Sequence, residues 1–225
     1  MPKYALITAG GQGRRMGASI QKQFLPLAGS PVLMHCMKAF LSYAPDIAFV
    51  LVIPEEAFAT WKALCETHHF QVSHQLAISG PTRFHSVKNG LRFIPPDALV
   101  AIHDGVRPLV SLDTISRAFH FASQFGNAIP VVAPADSVRM VENAMSTPLS
   151  RNSVRMVQTP QCFRADLIKK AYNRNFEERF TDDATVLEAD GHRLYLIEGN
   201  KENIKITTPS DLVYAEAYLG KKQPK

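Results

Sequence analysis

Short apolar runs rich in Val, Ile and Leu alternate along the chain with longer stretches in which apolar residues recur at helical spacing. Strand-like runs cover Tyr4 to Ala9, Ile47 to Ile53, Gln75 to Ile78, Ala98 to His103 and Ala128 to Val132. Helical periodicity marks Pro31 to Tyr43, Thr82 to Phe93 and Leu112 to Phe125. Such alternation predicts an α/β fold, a Rossmann-like and mostly parallel sheet with helices on both faces. Ligand sites of these sheets lie at the carboxyl ends of the strands. Two helix starts are marked: Ser30 ahead of Pro31, and Thr208-Pro209-Ser210-Asp211, where a threonine cap, an N1 proline and an acid at N3 coincide. Between Pro134 and Gln158 the periodicity fades into polar and basic residues without a Gly/Ser linker composition, which predicts an arm at about 134–158 projecting from a single domain spanning 1–225. No internal repeat is visible.

A length of 225 residues with 46% hydrophobic content is enough to bury a full core. No apolar run approaches the roughly 18 to 20 residues that span a bilayer, and Met1-Pro2-Lys3-Tyr4 leads directly into a strand pattern, so the expectation is a cytoplasmic protein with no membrane partner. The formal charge of +5 comes from scattered basic residues rather than a Lys/Arg tract, which favours a small anion over nucleic acid. Cys36, Cys65 and Cys162 show no C-x-x-C spacing and read as buried small hydrophobes. His68-His69 has no third ligand at a recognisable spacing, so it reads as a helix surface.

Candidate chemistry begins with Gly10-Gly11-Gln12-Gly13-Arg14-Arg15-Met16 directly after the first strand, followed by Lys22-Gln23. Glycines let backbone N–H groups close around phosphate oxygens, and two arginines and a lysine supply the charge a triphosphate needs. The loop is neither a P-loop nor a dinucleotide fingerprint, because Met16 stands where the latter needs glycine. A purely structural strand-to-helix turn is the competing reading. A second cluster, His103-Asp104-Gly105-Val106-Arg107-Pro108, puts a carboxylate and a guanidinium at the sheet's carboxyl edge, where Asp104 could hold Mg²⁺ or pair with Arg107 to fix the loop. A third, Asn203 to Thr208, reads as a short strand carrying Lys205, either an edge-strand lysine or a phosphate contact. Ser79-Gly80-Pro81-Thr82-Arg83-Phe84-His85-Ser86 offers a tight turn and hydroxyls that could read the edge of a small base. Thr181-Asp182-Asp183-Ala184 reads as a helix N-terminus.

Together these segments resemble the 2-C-methyl-D-erythritol 4-phosphate cytidylyltransferases of the non-mevalonate isoprenoid pathway, from Ala5 to about Glu216. The matching stretches are AGGQGRRMG from Ala9, KQFLPLAGSPVLMH from Lys22, SVKNGL from Ser86, HDGVRPLV from His103, QTPQCF from Gln158, TDDATVLEADG from Thr181 and NIKITTPSDL from Asn203. Each is weak alone; their order and spacing are specific. The resemblance implies a nucleotide-diphospho-sugar transferase type of fold and cytidylyl transfer from CTP with release of pyrophosphate. By position it puts the phosphate-binding arginine on Arg15 and two essential lysines on Lys22 and Lys205, with Gly11 and Gly13 in the same phosphate loop. It further implies that Ala9, Gly10, Gly80 and Ser86 frame the cytosine, that Gly105 lies by the ribose, and that Asp104 and Arg107 serve the Mg²⁺ and substrate side. It also implies that the arm is a projecting dimerisation β-arm and that the protein is a homodimer with crossed arms, in which Ser137 and Arg151 of the partner subunit join Thr159 around the methylerythritol phosphate.

The chain departs from the family pattern at Gln21, where proline is usual, at Ser137 and Arg139, where Thr and Lys are common, and at Pro81, where an acid is frequent. The last removes a side-chain and N–H contact near the base. Ribitol 5-phosphate cytidylyltransferases share the loop and the HD-x-x-RP and NIKIT segments and form the main alternative; a non-catalytic CTP-binding relative is another. The segment Thr181 to Glu188 looks like the methylerythritol branch. The acceptor's phosphate is already anionic, so the absence of a Ser–His or Cys–His pair fits a reaction in which cations do the catalysis.

Overall fold

A computed structural model describes residues 1–11 and 21–222. The strands are β1 (Lys3–Thr8), β2 (Pro26–Leu27), β3 (Ser30–Pro31), β4 (Ala48–Ile53), β5 (Gln75–Ile78), β6 (Leu99–Asp104), β7 (Asn127–Val132), β8 (Val138–Glu142), β9 (Met145–Leu149), β10 (Met156–Val157), β11 (Gln161–Arg164) and β12 (Leu196–Glu198). The helices are α1 (Val32–Tyr43), α2 (Phe58–Thr67), α3 (Arg83–Leu91), α4 (Leu112–Phe125), α5 (Ala165–Ala171), α6 (Asp183–Ala189) and α7 (Pro209–Lys222).

The main sheet runs β10-β7-β11-β6-β1-β4-β5, with β12 also on β7. Its backbone is parallel through β6, β1, β4 and β5, and β11 lies antiparallel between β6 and β7. The sheet is thus mixed but mostly parallel and helix-flanked, as the periodicity predicts. Because both faces are covered, its strands are apolar throughout rather than alternating. Along β1, Ala5 and Ile7 enter a core shared with Met37, Phe40 and Phe119 of α1 and α4, whereas Leu6 enters the opposite core with Phe84 and Val87 of α3. A third, smaller core of Leu27, Val32, Val106, Leu109, Ile206 and Ala215 lies apart from both. It fastens three chemically important loops: the turn after Lys22, the loop after Asp104 and the segment bearing Lys205.

Two sequence expectations change here. Ser30 does not cap α1, because it pairs with Leu27 in the β2–β3 hairpin, closed by Ala28 and Gly29 at positive φ, and the helix begins at Val32. The Asn203–Thr208 segment joins no ladder; the Ile206 N–H donates to the Val106 carbonyl, and the buried Ile206 side chain anchors it. The second predicted start holds: Asp211 accepts from the N–H groups of Thr207 and Thr208 at 2.8 Å each, just ahead of the first turn of α7. Residues 139–150, most of β8 and β9, are all exposed and form a two-stranded hairpin with no pairing to the main sheet. Cys36 and Cys162 are buried and Cys65 partly so. Among the described residues no helix is long and apolar enough to cross a membrane.

Candidate active site

Parallel strands deliver their following loops to one edge, and β1, β4, β5 and β6 here deliver theirs to a cleft of about 830 Å³. Ala9, Gly10 and Gly11 after β1, Ser79 to Arg83 after β5, Asp104 and Val106 after β6, and Lys22 and Lys205 all line it. A second cleft of about 330 Å³ adjoins it, lined by Arg107, Thr159, Gln161, Thr181 and Asp182 among others. Arg83, Asp104 and Lys205 line both, so they form the wall between the two spaces.

Asp104 is the hub of that wall. Its Oδ1 accepts from Arg83 Nε at 3.4 Å, and its Oδ2 faces Lys205 Nζ at 3.0 Å and Arg107 Nε at 3.3 Å. Burial alone would raise its pKa, but Arg83, Lys205 and Arg107 outweigh burial and hold the carboxyl well below the usual carboxylate range. Arg107 does pair with Asp104, yet its Nη1 also donates to the Asn203 carbonyl at 2.8 Å, which ties the loop after β6 to the Lys205 segment. The buried Asn203 in turn donates to the Thr159 carbonyl at 2.7 Å.

Beneath Asp104 lies His103, fully buried, its pKa lowered to about 4 by burial. Its Nε2–H donates to the Arg107 carbonyl at 3.1 Å, which fixes the neutral tautomer and leaves Nδ1 to accept from the Thr159 hydroxyl at 3.0 Å. The Thr159 oxygen accepts from the Asp104 N–H at 3.1 Å. Thr159 therefore turns its proton inward and braces the wall, while its position borders the second cleft.

Around the larger cleft the glycines serve close approach. A Cβ on Gly10 would lie 2.8 Å from Ser79 Cβ, so the loops after β1 and β5 can touch only without one. The Ser86 hydroxyl accepts from the Gly80 N–H at 3.0 Å and donates to the Thr82 carbonyl at 3.0 Å, holding the turn that forms the wall. Lys22 follows Gln21 in a single 3-10 turn and passes over Gly11, whose Cβ would lie 3.8 Å from Lys22 Cε. The buried Gln23 pins that turn by donating to the Ala9 carbonyl at 2.7 Å.

Of the residues singled out by sequence, Ala9, Gly10, Gly11, Lys22, Gly80, Ser86, Asp104 and Lys205 meet in the first cleft, and Asp104, Arg107, Thr159 and Lys205 in the second. Gly13 and Arg15 lie outside the described residues. Gly105 borders neither cleft: a Cβ there would sit 3.0 Å from both Ala9 Cβ and Leu33 Cδ1, so it serves core packing behind the loop. Ser137 and Arg151 stand on the exposed arm, away from both clefts, with Arg151 Nη1 donating to the Ala135 carbonyl at 2.9 Å. Three residues escape a reading of the sequence. Arg83 and Asp183 form a bidentate pair at 2.9 and 2.6 Å, and Gln161 bridges Asp182 and the Ala184 N–H. Their signal is weak, since each sits inside a segment that already makes sense as a helix start or a strand. The Thr181-Asp182-Asp183 start is itself real: Asp182 caps α6 reciprocally with Thr185. Among the described residues no group of three His, Cys, Asp or Glu could hold a metal by itself.

Comparison with known proteins gives this geometry a family. The Bacteroides fragilis 2-C-methyl-D-erythritol 4-phosphate cytidylyltransferase is 50% identical over 219 residues, covering 97% of this chain and all of that one, and its Bacteroides thetaiotaomicron counterpart is 49% identical over the same shares. The Thermus thermophilus crystal structure bearing the same name superposes with a TM-score of 0.80 at 30% identity, over 97% of this chain and 98% of that one. A 4-diphosphocytidyl-2C-methyl-D-erythritol synthase from Anaerococcus prevotii reaches a TM-score of 0.83 at 26% identity, over 97% and 96%. The family model described as IspD, 2-C-methyl-D-erythritol 4-phosphate cytidylyltransferase, matches residues 4–221, and the chain belongs to that family.

Proposed function

We propose that the protein transfers a cytidylyl group from CTP to 2-C-methyl-D-erythritol 4-phosphate, giving 4-diphosphocytidyl-2-C-methyl-D-erythritol and pyrophosphate, in the cytoplasm. The observation that carries this reading is the wall of Arg83, Asp104 and Lys205 shared by two clefts, since a nucleotide and a phosphorylated acceptor must meet across one such boundary. The larger cleft has the size and glycine-rich floor for CTP; the smaller takes the acceptor beside Arg107 and Thr159.

In this scheme an acceptor phosphate oxygen attacks the α-phosphorus of CTP in line. The new P–O bond forms as the bond from α-phosphorus to the bridging oxygen breaks, and pyrophosphate leaves with that electron pair. No protein nucleophile is required. Lys22 and Lys205 bracket the α-phosphoryl oxygens, Arg15 with Gly11 and Gly13 receives the β- and γ-phosphates, and Arg107 orients the acceptor phosphate. Preorganised cations aimed at developing charge are worth about 10²- to 10³-fold each. For Mg²⁺ carried in with CTP, Asp104 would be the hard oxygen ligand on the cleft wall; its oxygens already face Arg83, Arg107 and Lys205, so phosphate oxygens and water would supply most of the coordination. When bound, the ion neutralises triphosphate charge.

The arm supports a homodimer. Val141 is 68% exposed and Met145 74%, an apolar tip that a second arm would cover, and crossing arms would carry Ser137 and Arg151 to the partner's acceptor cleft. The test is pyrophosphate release from CTP and Mg²⁺ with methylerythritol 4-phosphate and, in parallel, ribitol 5-phosphate. Strong preference for the first is expected. Preference for the second would reassign the acceptor, and CTP binding without acceptor-dependent release would remove the catalytic reading.

A further inference from the structure

Arg83, at the first position of α3, is committed at both ends of its guanidinium. Nη1 and Nη2 donate to the two oxygens of Asp183, and Nε faces Asp104. Asp183 is fully buried and accepts a further bond from Tyr172 Oη at 2.6 Å. Tyr172 is itself packed between Phe84, in a stacked contact at 4.7 Å, and the rest of the second core. Along the contacts Asp183–Arg83–Asp104–Lys205 the side-chain exposure is nil at Asp183, 27% at Arg83, 9% at Asp104 and 41% at Lys205, so the two ends differ most. The fixed end is in the core and the other end is in the cleft.

Burying a carboxylate and a guanidinium is poor use of a core for stability alone, because apolar residues of similar volume commonly serve as well or better. What the ion pair supplies here is direction. By occupying Asp104 Oδ1, Arg83 sets the carboxylate torsion so that Oδ2 faces Arg107 and Lys205. Lys205 lies on a segment outside any ladder, so the Asp104 oxygen at 3.0 Å is what aims its ammonium across the wall.

We propose that Arg83 is a positioning residue for the transfer, locked by Asp183 and Tyr172 and acting through Asp104 to hold Lys205 where the α-phosphoryl group passes between the clefts. The proposal rests on the reading of Lys205 given above. A misplacement of about 1 Å at such a centre costs on the order of a hundredfold in rate.

The test replaces the whole buried network with apolar residues, Arg83→Met, Asp183→Leu and Tyr172→Phe together, and measures melting temperature, kcat and the KM for CTP by pyrophosphate release. The expected result is a melting temperature within about 5 °C of wild type, kcat lower by roughly 10- to 100-fold, and a KM for CTP changed less than about threefold, the pattern of an interaction made in the transition state. A stable triple variant with wild-type kcat would overturn the proposal, and so would one in which KM rises while kcat holds. Should the triple variant not fold, Arg83→Lys keeps a charge against Asp183 but cannot fork to Asp104 as well; it is expected to show the same split, and wild-type kcat in it would overturn the proposal. Lys205→Ala run alongside separates the two layers. Full turnover in Lys205→Ala removes the premise itself, whereas slow Lys205→Ala with fast Arg83 variants removes only the role of Arg83.

Discussion

The wall between the clefts and the arm are built on opposite principles. At the wall, His103, Asp104 and Thr159 are buried and each has specific hydrogen-bond partners, so the loop after β6 has one arrangement. On the arm, residues 139–150 are all exposed and the hairpin pairs with no strand of the main sheet. The cations of the wall are held by contacts within one chain, whereas an exposed apolar tip would gain stability only from a surface that covers it. Substitutions at the wall should therefore change turnover without changing association, whereas substitutions at the arm's tip should act through association first.

The largest effect expected is at the wall. Lys205→Ala should lower kcat about 10²- to 10³-fold, roughly 3 to 4 kcal/mol, with little change in melting temperature, read by steady-state pyrophosphate release and thermal unfolding. Wild-type turnover would break the contrast at its centre. Next comes pH. His103 is neutral in the fold, with its pKa depressed to about 4 from an ordinary 6.5, so the unfolded chain binds that proton first as pH falls. Its contribution is thus complete above about pH 6.5 and is lost progressively down to about pH 4, by up to about 1.4 kcal/mol per pH unit. Below that, Asp104, held charged by its three cations, takes over the loss. Urea titrations between pH 8 and 4 should show this slope, flattened in His103→Gln; an equal slope in both would show that other groups set it.

Thr159→Val removes the acceptor for the Asp104 N–H and the donor to His103, and should cost about 1 to 3 kcal/mol of stability together with turnover. A neutral result would mean the loop is not braced there. Smallest in folding terms is the arm. Val141→Asp should alter unfolding stability of the isolated chain by no more than about 0.5 kcal/mol, yet on the homodimer proposed above light scattering should find dimers for the wild type and monomers for the variant. A dimeric Val141→Asp chain would place the interface elsewhere.

Much of the fold is legible in the sequence because apolar period and burial coincide: α4 spans Leu112–Phe125 as its periodicity predicts, and β5 spans Gln75–Ile78 likewise. The arm's β character follows from the family resemblance and not from periodicity, because local chemistry hides the hairpin. Its turn residues, Asn143 and Ala144, both have positive φ without the glycine that signals such a turn, and Pro148 sits inside β9, tolerated because a two-stranded hairpin is all edge. Lys205 is legible, but as a strand residue, since Ile204 and Ile206 mimic alternation; only Ile206 is fully buried, and the segment is held by the third core rather than by a ladder. Arg83 and Asp183 are invisible in the sequence because their partnership joins positions a hundred residues apart, and each looks locally like an ordinary first-turn residue.

Whether the two substrates meet across the Asp104 wall is tested by a crystal structure of the protein with CTP, Mg²⁺ and a non-reacting acceptor analogue. The α-phosphate is expected within hydrogen-bonding distance of Lys22 and Lys205, and the acceptor phosphate in the smaller cleft across Asp104. A triphosphate lying away from Lys205, or an acceptor phosphate outside that cleft, would contradict this arrangement.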